Sequence, residues 1–342
     1  MKRQSIMNLW QQCFHDSEEF IQFYFKRKYQ DKNAMLYTEN GEPLSAFLML
    51  PYPFIWKGKT LMATYISGAC TDAKARNRGL MTHLLQEGFR QMHNDNIALS
   101  VLIPAEPWLY GYYAKLGYTT IFYKSTNLWQ AISDITPNCK IEIIDKARQP
   151  VIQESYTYFL KKMQAKPCYI GHSFEDYQII LGDLYLSDGK LILARSQQAP
   201  YSLCGMALTT IEKGEMTAKE LLYDTPEICN HLLATATNHW KVARAVYRTP
   251  YHIQTAQPYG MARIIHLETL LQHYAAIHPH IEETFCIADN ILPSNQGTFH
   301  ISHGECRKTD NTLSPSAIDI AVLPEKLFAN LSEPPYMNLM ID

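Results

Sequence analysis

One stretch in the first third of the chain combines positive charge with a glycine in a way suited to holding an anion. It reads Ala69-Cys70-Thr71-Asp72-Ala73-Lys74-Ala75-Arg76-Asn77-Arg78-Gly79-Leu80-Met81-Thr82. The apolar run before it predicts a long strand over 59–70. Leu80, Leu84, Leu85, Gly88 and Met92 behind it predict a helix over 79–93. A strand that enters a basic turn and then a helix start aims free backbone N–H groups and the positive end of the helix dipole at one spot. Gly79 has no Cβ, so a pyrophosphate could approach the backbone there, and Lys74, Arg76 and Arg78 add charge. The spacing is neither GxxxxGK[ST] nor GxGxxG. The same residues also suit an ordinary strand–turn–helix with solvated basic side chains. His300, His303 and Cys306 form an HxxHxxC spacing that could be drawn as part of a zinc site. Two of the three should lie on opposite faces of a strand, and no fourth ligand is obvious, so no metal is expected. Lys161, Lys162 and Lys166 read as a solvated helix face.

The basic loop resembles the acyl-CoA pyrophosphate loop of the GNAT (Gcn5-related) acetyltransferases, whose pattern is [QR]-x-x-G-x-[GA]. Arg76 and Gly79 match it and Met81 departs from it. A second stretch, Tyr112-Tyr113-Ala114-Lys115-Leu116-Gly117-Tyr118, resembles that family's [FY]-Y-x-x-x-G-[FY] segment. Tyr113 lies 34 residues after Gly79, with a helix and an apolar strand between, as in the family. The resemblance implies that Tyr113 is the general acid. A phenol of pKa near 10 stays protonated at neutral pH and can give its proton to a leaving thiolate.

The whole chain is similar to the Eis-like (enhanced intracellular survival) acetyltransferases, because Arg76-Asn77-Arg78-Gly79-Leu80-Met81 fits the form R-R-R-G-L-[LM]. This likeness implies three parts: a catalytic acyl-CoA-binding GNAT domain over 1–130, a second GNAT-like domain without the loop over 131–260, and a small sterol-carrier-protein-like domain over 261–342. It implies acetyl-CoA as co-substrate, held by Ala69, Cys70, Thr71, Arg76, Asn77, Arg78, Gly79, Leu80, Met81 and Thr82, and by a further turn at Ala105 and Glu106. The second block carries Asp224-Thr225-Pro226-Glu227 where a phosphate loop would stand, which gives one cofactor site per chain. The likeness also brings the terminal carboxylate, here that of Asp342, into the active site on an extended tail anchored by Tyr336. A carboxyl of pKa near 3.5 is a weak base toward an ammonium, so it would serve better by binding the amine or relaying a proton through water. The tail ends Met340-Ile341-Asp342 where family tails end on an aromatic residue.

The remaining elements must position these residues. Helices are expected over 16–28, 107–116, 151–162, 226–240, 267–274 and 324–330. Strands are expected over 34–38, 44–50, 97–103, 118–127, 190–195, 202–212, 215–223, 244–247, 285–288, 297–303 and 318–322. The order points to an α/β (α+β) fold with tandem mixed-sheet domains, and the second block loosely repeats the first. The 342 residues carry 31 Lys plus Arg against 33 Asp plus Glu, a net charge of −2, which argues against a general nucleic-acid binder. No apolar run is long enough to span a bilayer and no signal-peptide core follows Met1-Lys2-Arg3-Gln4, so a cytoplasmic enzyme without membrane partners is expected. The eight cysteines include no CxxC pair and are expected to be reduced. The expected partners are a primary amine acceptor (aminoglycoside, polyamine or lysine side chain) and copies of the chain in a homo-oligomer. A non-catalytic acyl-CoA or lipid sensor on the same scaffold is the alternative, and a lipid carrier or a longer-acyl transferase are two others.

Overall fold

The computed structural model describes residues 2–130, 139–212, 214–249, 255–310 and 316–341. Its first block opens with two helices, α1 (Lys2–Phe14) and α2 (Glu18–Lys28). Ser17 caps α2 by accepting the Phe20 N–H at 3.2 Å, and Glu18 and Glu19 occupy its first turn, as expected for its dipole. The sequence reading did not anticipate α1, which buries Ile6, Met7, Leu9 and Trp10. Three antiparallel strands follow: β1 (Ala34–Glu39), β2 (Glu42–Trp56) and β3 (Lys59–Thr71). Their turns, Asn40-Gly41 and Lys57-Gly58, hold positive φ at all four residues, the geometry that a tight hairpin needs. Then come α3 (Leu80–Asn94), β4 (Leu99–Leu102), α4 (Pro107–Ala114) and β5 (Thr119–Gln130).

The second block holds β6 (Cys139–Ile144), α5 (Gln149–Gln164), β7 (Cys168–Ile170), α6 (Phe174–Leu186), β8 (Lys190–Ser196), β9 (Leu203–Glu212), β10 (Glu215–Tyr223), α7 (Pro226–Trp240) and β11 (Arg244–Thr249). The two strands expected over 202–212 and 215–223 pair antiparallel as β9 and β10, and Lys213 between them lies outside the described residues. Helix α6 was not anticipated, although Ser173 and Asp176 form a reciprocal capping box at its start. The chain then gives β12 (Ala256–Ile264), α8 (Leu267–Ile277), β13 (Glu283–Ala288), β14 (Gly297–Ser302), β15 (Glu305–Asp310), β16 (Ile318–Asp319) and α9 (Leu323–Phe328). The strand expected over 318–322 stops at Asp319. The Asp319 carboxylate accepts the Ala321 N–H at 2.8 Å, which bends Ile320–Val322 into a 3-10 turn ahead of Pro324. The expected turn at Asp310-Asn311 runs into residues outside the described set.

Strands β1 to β12 build one twelve-stranded mixed sheet in the order β1-β2-β3-β4-β12-β5-β11-β10-β9-β8-β6, with β7 on the edge of β2. Strand β12 is thus inserted between β4 and β5 and runs antiparallel to both, with Met261 opposite Leu102 and Ala262 opposite Thr119. Strand β5 then pairs with β11, so the first and second blocks share a continuous ladder. A separate four-stranded sheet, β15-β14-β13-β16, packs on α8. One core lies under α1, α2 and α6 around Trp10, Tyr24, Tyr52, Tyr65 and Tyr177. A second lies under α3 and α4 around Phe47, Leu85, Phe89, Tyr118 and Met261. Each such fully buried large side chain is worth about 1.5–3 kcal/mol. Among the described residues, no helix is long and apolar enough to cross a membrane.

Candidate active site

Parallel pairing of β3 with β4 ends early. Ala63, Thr64 and Tyr65 face Leu99, Ser100 and Val101, and β3 then continues to Thr71 without β4 beside it. A bulge helps it diverge. Leu48 faces Ser67 while Ala46 faces Cys70, so β3 carries an extra residue here. Gly68 sits in the bulge at φ +61°, and any Cβ on it would collide with the Trp10 indole. The result is a wedge between β3 and the loop after β4, with strand backbone along one wall.

The basic loop closes the end of that wedge. Asp72 accepts the Lys74 N–H at 2.8 Å and caps a single turn, Ala73–Ala75. Asn77 and Gly79 then take left-handed φ values of 63° and 75°, which turn the chain into α3. Helix α3 starts at Gly79 with no side-chain cap, and nothing lies within 4 Å of where a Gly79 Cβ would be. The first-turn amides of Leu80, Met81 and Thr82 therefore face an open approach, which suits a phosphate group. Arg78 donates to Glu39 at 2.6 Å in an exposed pair that holds the Glu39 carboxyl below its usual range. Arg76 Nε donates to the Thr71 carbonyl at 3.3 Å. The Cys13 thiol lies beside the same carbonyl and is pulled down to about 7, chiefly by its hydrogen bond with Cys70 and also by Arg76.

Most of the residues expected to hold a cofactor are gathered around this wedge. Ala69, Thr71, Met81 and Thr82 are half-buried, and Arg76, Asn77, Arg78 and Gly79 are exposed. Cys70 differs. Its side chain points to the far face, with Sγ donating to the Ala46 carbonyl at 3.7 Å, so only its backbone can serve the wedge. Ala105 and Glu106 are exposed at the corner before α4. Tyr113 is buried on α4, with its ring 5.2 Å from that of Tyr112 and 5.6 Å from that of Tyr118. The Tyr112 and Thr82 hydroxyls share a 3.1 Å hydrogen bond, which ties α4 to the first turn of α3. The end of α4 is fixed from another direction. Arg263 of β12 donates from one guanidinium nitrogen to the Leu116 carbonyl at 2.8 Å, and from the other to both oxygens of Asp289 at 2.8 and 2.9 Å. Gly117, at φ +82°, is the one residue that fits beside that guanidinium.

The tail is also seated. The Tyr336 N–H bonds the Cys168 carbonyl at 2.9 Å, and the Ile170 N–H bonds the Tyr336 carbonyl at 2.8 Å. The Tyr336 hydroxyl and the Asn338 amide both donate to the buried Glu220 carboxyl, whose pKa burial raises. His172 Nε2 donates to the Asn338 carbonyl at 2.9 Å, and burial lowers the pKa of this histidine. Met337 packs on Gly260 of β12, next to the end of β4. Residues 338–341 then line a cavity of about 160 Å³ together with Asp183, Glu212, Lys219, Arg248 and Tyr259. The Tyr259 carbonyl accepts the Tyr110 hydroxyl at 3.1 Å, one helical turn before Tyr113. Asp342 lies outside the described residues.

Sequence reading missed this cavity because its walls come from α6, β9, β10, β11, β12 and the tail. One signal pointed to the tail's seat beside it: Glu220 is an acidic residue followed by Leu221-Leu222 in a mostly buried strand, and it holds Tyr336 and Asn338. The second block's equivalent corner is filled by Asp224, which pairs with Lys162 at 2.7 Å and accepts the Tyr158 hydroxyl at 3.0 Å. His300 is exposed and bonds Thr284, whereas Cys306 is buried on the neighbouring strand. Among the described residues, no three His, Cys, Asp or Glu side chains are grouped closely enough to hold a metal.

Residues 2–121 match the acetyltransferase (GNAT) domain family. The chain carries a GNAT acetyltransferase domain. That domain makes the protein a transferase, and the wedge lies where the basic loop after β3 meets the helix that carries Tyr113. The fold of the whole chain is similar to that of a conserved protein from Enterococcus faecalis V583 described as a probable N-acyltransferase. That likeness has a TM-score of 0.77 and 17% identity, covering 98% of this chain and 96% of the other. A GCN5-related N-acetyltransferase from Anabaena variabilis has a TM-score of 0.72 and 18% identity over 94% of this chain and 86% of its own. Eis1 from Mycobacterium abscessus has a TM-score of 0.68 and 12% identity over 94% and 85%. These likenesses bear out the mixed α/β fold with tandem GNAT-like parts. No curated protein matches the chain in sequence.

Proposed function

We propose that the protein is an acetyl-CoA-dependent N-acetyltransferase that moves acetyl directly onto a primary amine of an aminoglycoside, polyamine or lysine-like acceptor. The observation that carries this reading is the wedge between β3 and β4, with the uncapped start of α3 at one end and Tyr113 on the helix beside it. In this reading the amides of Leu80, Met81 and Thr82 bind the pyrophosphate, with Arg76 and Arg78 adding charge and Asn77 and Gly79 shaping the turn. The backbone of Ala69, Cys70 and Thr71 lies along the pantetheine, and Ala105 and Glu106 border it. Such positioning accounts for much of the rate gain when two substrates must meet. The amine nitrogen attacks the thioester carbonyl, a C–N bond forms and the C–S bond breaks. The thiolate takes a proton from Tyr113, the amine nitrogen passes its surplus proton to water, and the phenolate regains a proton from water, leaving free CoA and the N-acetylated product.

The tail, through Asp342, assists the amine in this scheme. The domain limits near 130 and 260 follow the same likeness, although β12 spans the second limit and pairs with strands of the first block. We take the part after it as the sterol-carrier-like segment, acting as a clamp through Asp289. The eight cysteines are all unpaired thiols, which fits the reducing cytoplasm. Calorimetric titration with acetyl-CoA, followed by an amine panel with a thiol reagent to read free CoA, tests the reading. Binding together with amine-stimulated release is the expected result. Absence of acetyl-CoA binding would overturn the loop assignment, and binding without release would favour a sensor.

A further inference from the structure

The cavity beside the tail has a charge pattern that selects among amines. Asp183 reaches it from α6 and Arg248 from β11, and among the described residues neither has an ion-pair partner within 4 Å. The other two charged residues of its lining, Glu212 and Lys219, face each other at 3.9 Å. A third cation stands close by. Lys124 Nζ lies 4.5 Å from the centre of the Tyr259 ring, and the Arg248 guanidinium lies 5.9 Å from the same ring. Burial, and then Arg248, hold the Lys124 ammonium below its ordinary value, and Glu212 offsets this only in part. Burial raises the Asp183 carboxyl, and Lys219 offsets this in part.

A polycation entering this space would meet Asp183 and Glu212, but also Lys219, Arg248 and Lys124. The complement of the arrangement is a molecule with one ammonium for Asp183 and one carboxylate for Arg248. A guanidinium fork suits a carboxylate well. The space is about 160 Å³ and suits a small molecule.

We propose that the acceptor is a small zwitterion of amino-acid type, whose carboxylate is held by Arg248 beside Lys124 and Tyr259 and whose amine is held by Asp183. This rests on the transferase reading for the reaction itself, while the binding claim stands on the cavity alone. The test titrates the full chain, with CoA present, with lysine, 6-aminohexanoate, cadaverine and spermidine, by calorimetry. Acetyl transfer to each is then read by CoA release. The two carboxylate-bearing amines should bind about ten-fold or more tighter than cadaverine, the value of one charge-assisted hydrogen-bonded contact. Arg248→Gln should remove that preference, and Arg248→Lys, which keeps the charge, should retain part of it. Asp183→Asn should weaken cadaverine and lysine alike. Equal or tighter binding of cadaverine or spermidine overturns the proposal, as does an unchanged preference in Arg248→Gln or no binding of any of the four. If lysine binds but no acetyl moves, the transferase reading fails while the cavity's selectivity stands.

Discussion

Replacing Asp289 with alanine should cost the protein a large share of its stability. Asp289 and Arg263 are each 1% exposed at the side chain. The carboxylate takes two bonds from Arg263, the N–H groups of Ile291 and Leu292 at 3.0 Å each, and the Asn295 amide at 3.0 Å. Among the described residues the guanidinium has no second carboxylate. Its other contacts are the Leu116 carbonyl and the face of Phe89 at 5.0 Å. Asp289→Ala therefore strands a buried cation, and breaking such a pair costs about 3–5 kcal/mol. Against a usual total of about 5–15 kcal/mol, that is a major fraction. Removing both charges, in Arg263→Met with Asp289→Leu, leaves no stranded ion and should cost less than Asp289→Ala alone. Urea denaturation followed by tryptophan fluorescence reads all three proteins. A loss under about 1 kcal/mol in Asp289→Ala, or a double variant no more stable than Asp289→Ala, would refute the argument that a buried charge pair dominates here.

Tyr113→Phe should lower kcat by about 10²–10⁴-fold with acetyl-CoA affinity unchanged, as for loss of a general acid, and equal kcat would remove Tyr113 from the chemistry. Arg78→Glu should weaken acetyl-CoA binding about ten-fold or more, because it places a carboxylate at the phosphate approach and breaks the pair with Glu39; unchanged affinity by calorimetry would discredit the loop assignment. Burial lowers the pKa of His172 in the folded chain, so the unfolded chain binds its proton first as pH falls below about 6.5. Its contribution is thus complete above that pH and is lost on acidification, at up to about 1.4 kcal/mol per pH unit. His172→Gln keeps a donor for the Asn338 carbonyl and should flatten the stability profile between pH 7.5 and 5.5; parallel profiles would show that His172 does not drive it. Light scattering should report more than one chain per particle, and a monomer mass would remove the expected homo-oligomer.

The two stretches proposed to carry the chemistry were legible as a basic loop and a helix because their geometry is local. A glycine at φ +75° beside a basic turn, and a tyrosine four residues ahead of Gly117, act within one loop or one helix. The elements between them followed from periodicity for the same reason. Helix α1 was missed because its first turn carries no acidic residue and only four of its residues are buried. The seat of β12 was not legible at all. Its partners begin at Leu99 and Thr119, some 140 residues earlier, and a strand's period says which residues face inward, never which strand lies beside it. The cavity was hidden in the same way, since its charges stand on separate elements.

That insertion of β12 explains why the proposed site draws on all three blocks of the chain. A wedge opens where β3 leaves β4, and a sheet that simply ended there would expose the unpaired backbone of β4 and β5 to solvent. Strand β12 fills that gap and carries three functions along its length. Arg263 grips the end of α4 behind Tyr113, Gly260 leaves room for Met337 of the tail, and the Tyr259 carbonyl receives Tyr110 while its ring borders the cavity. Each of these contacts joins the acetyltransferase domain to something outside it: the third block through Asp289, the tail through Met337, and the second block through Arg248. Loss of any one should therefore act on Tyr113 or on the acceptor, and leave the pyrophosphate loop between β3 and α3, which uses first-block residues alone, able to bind acetyl-CoA.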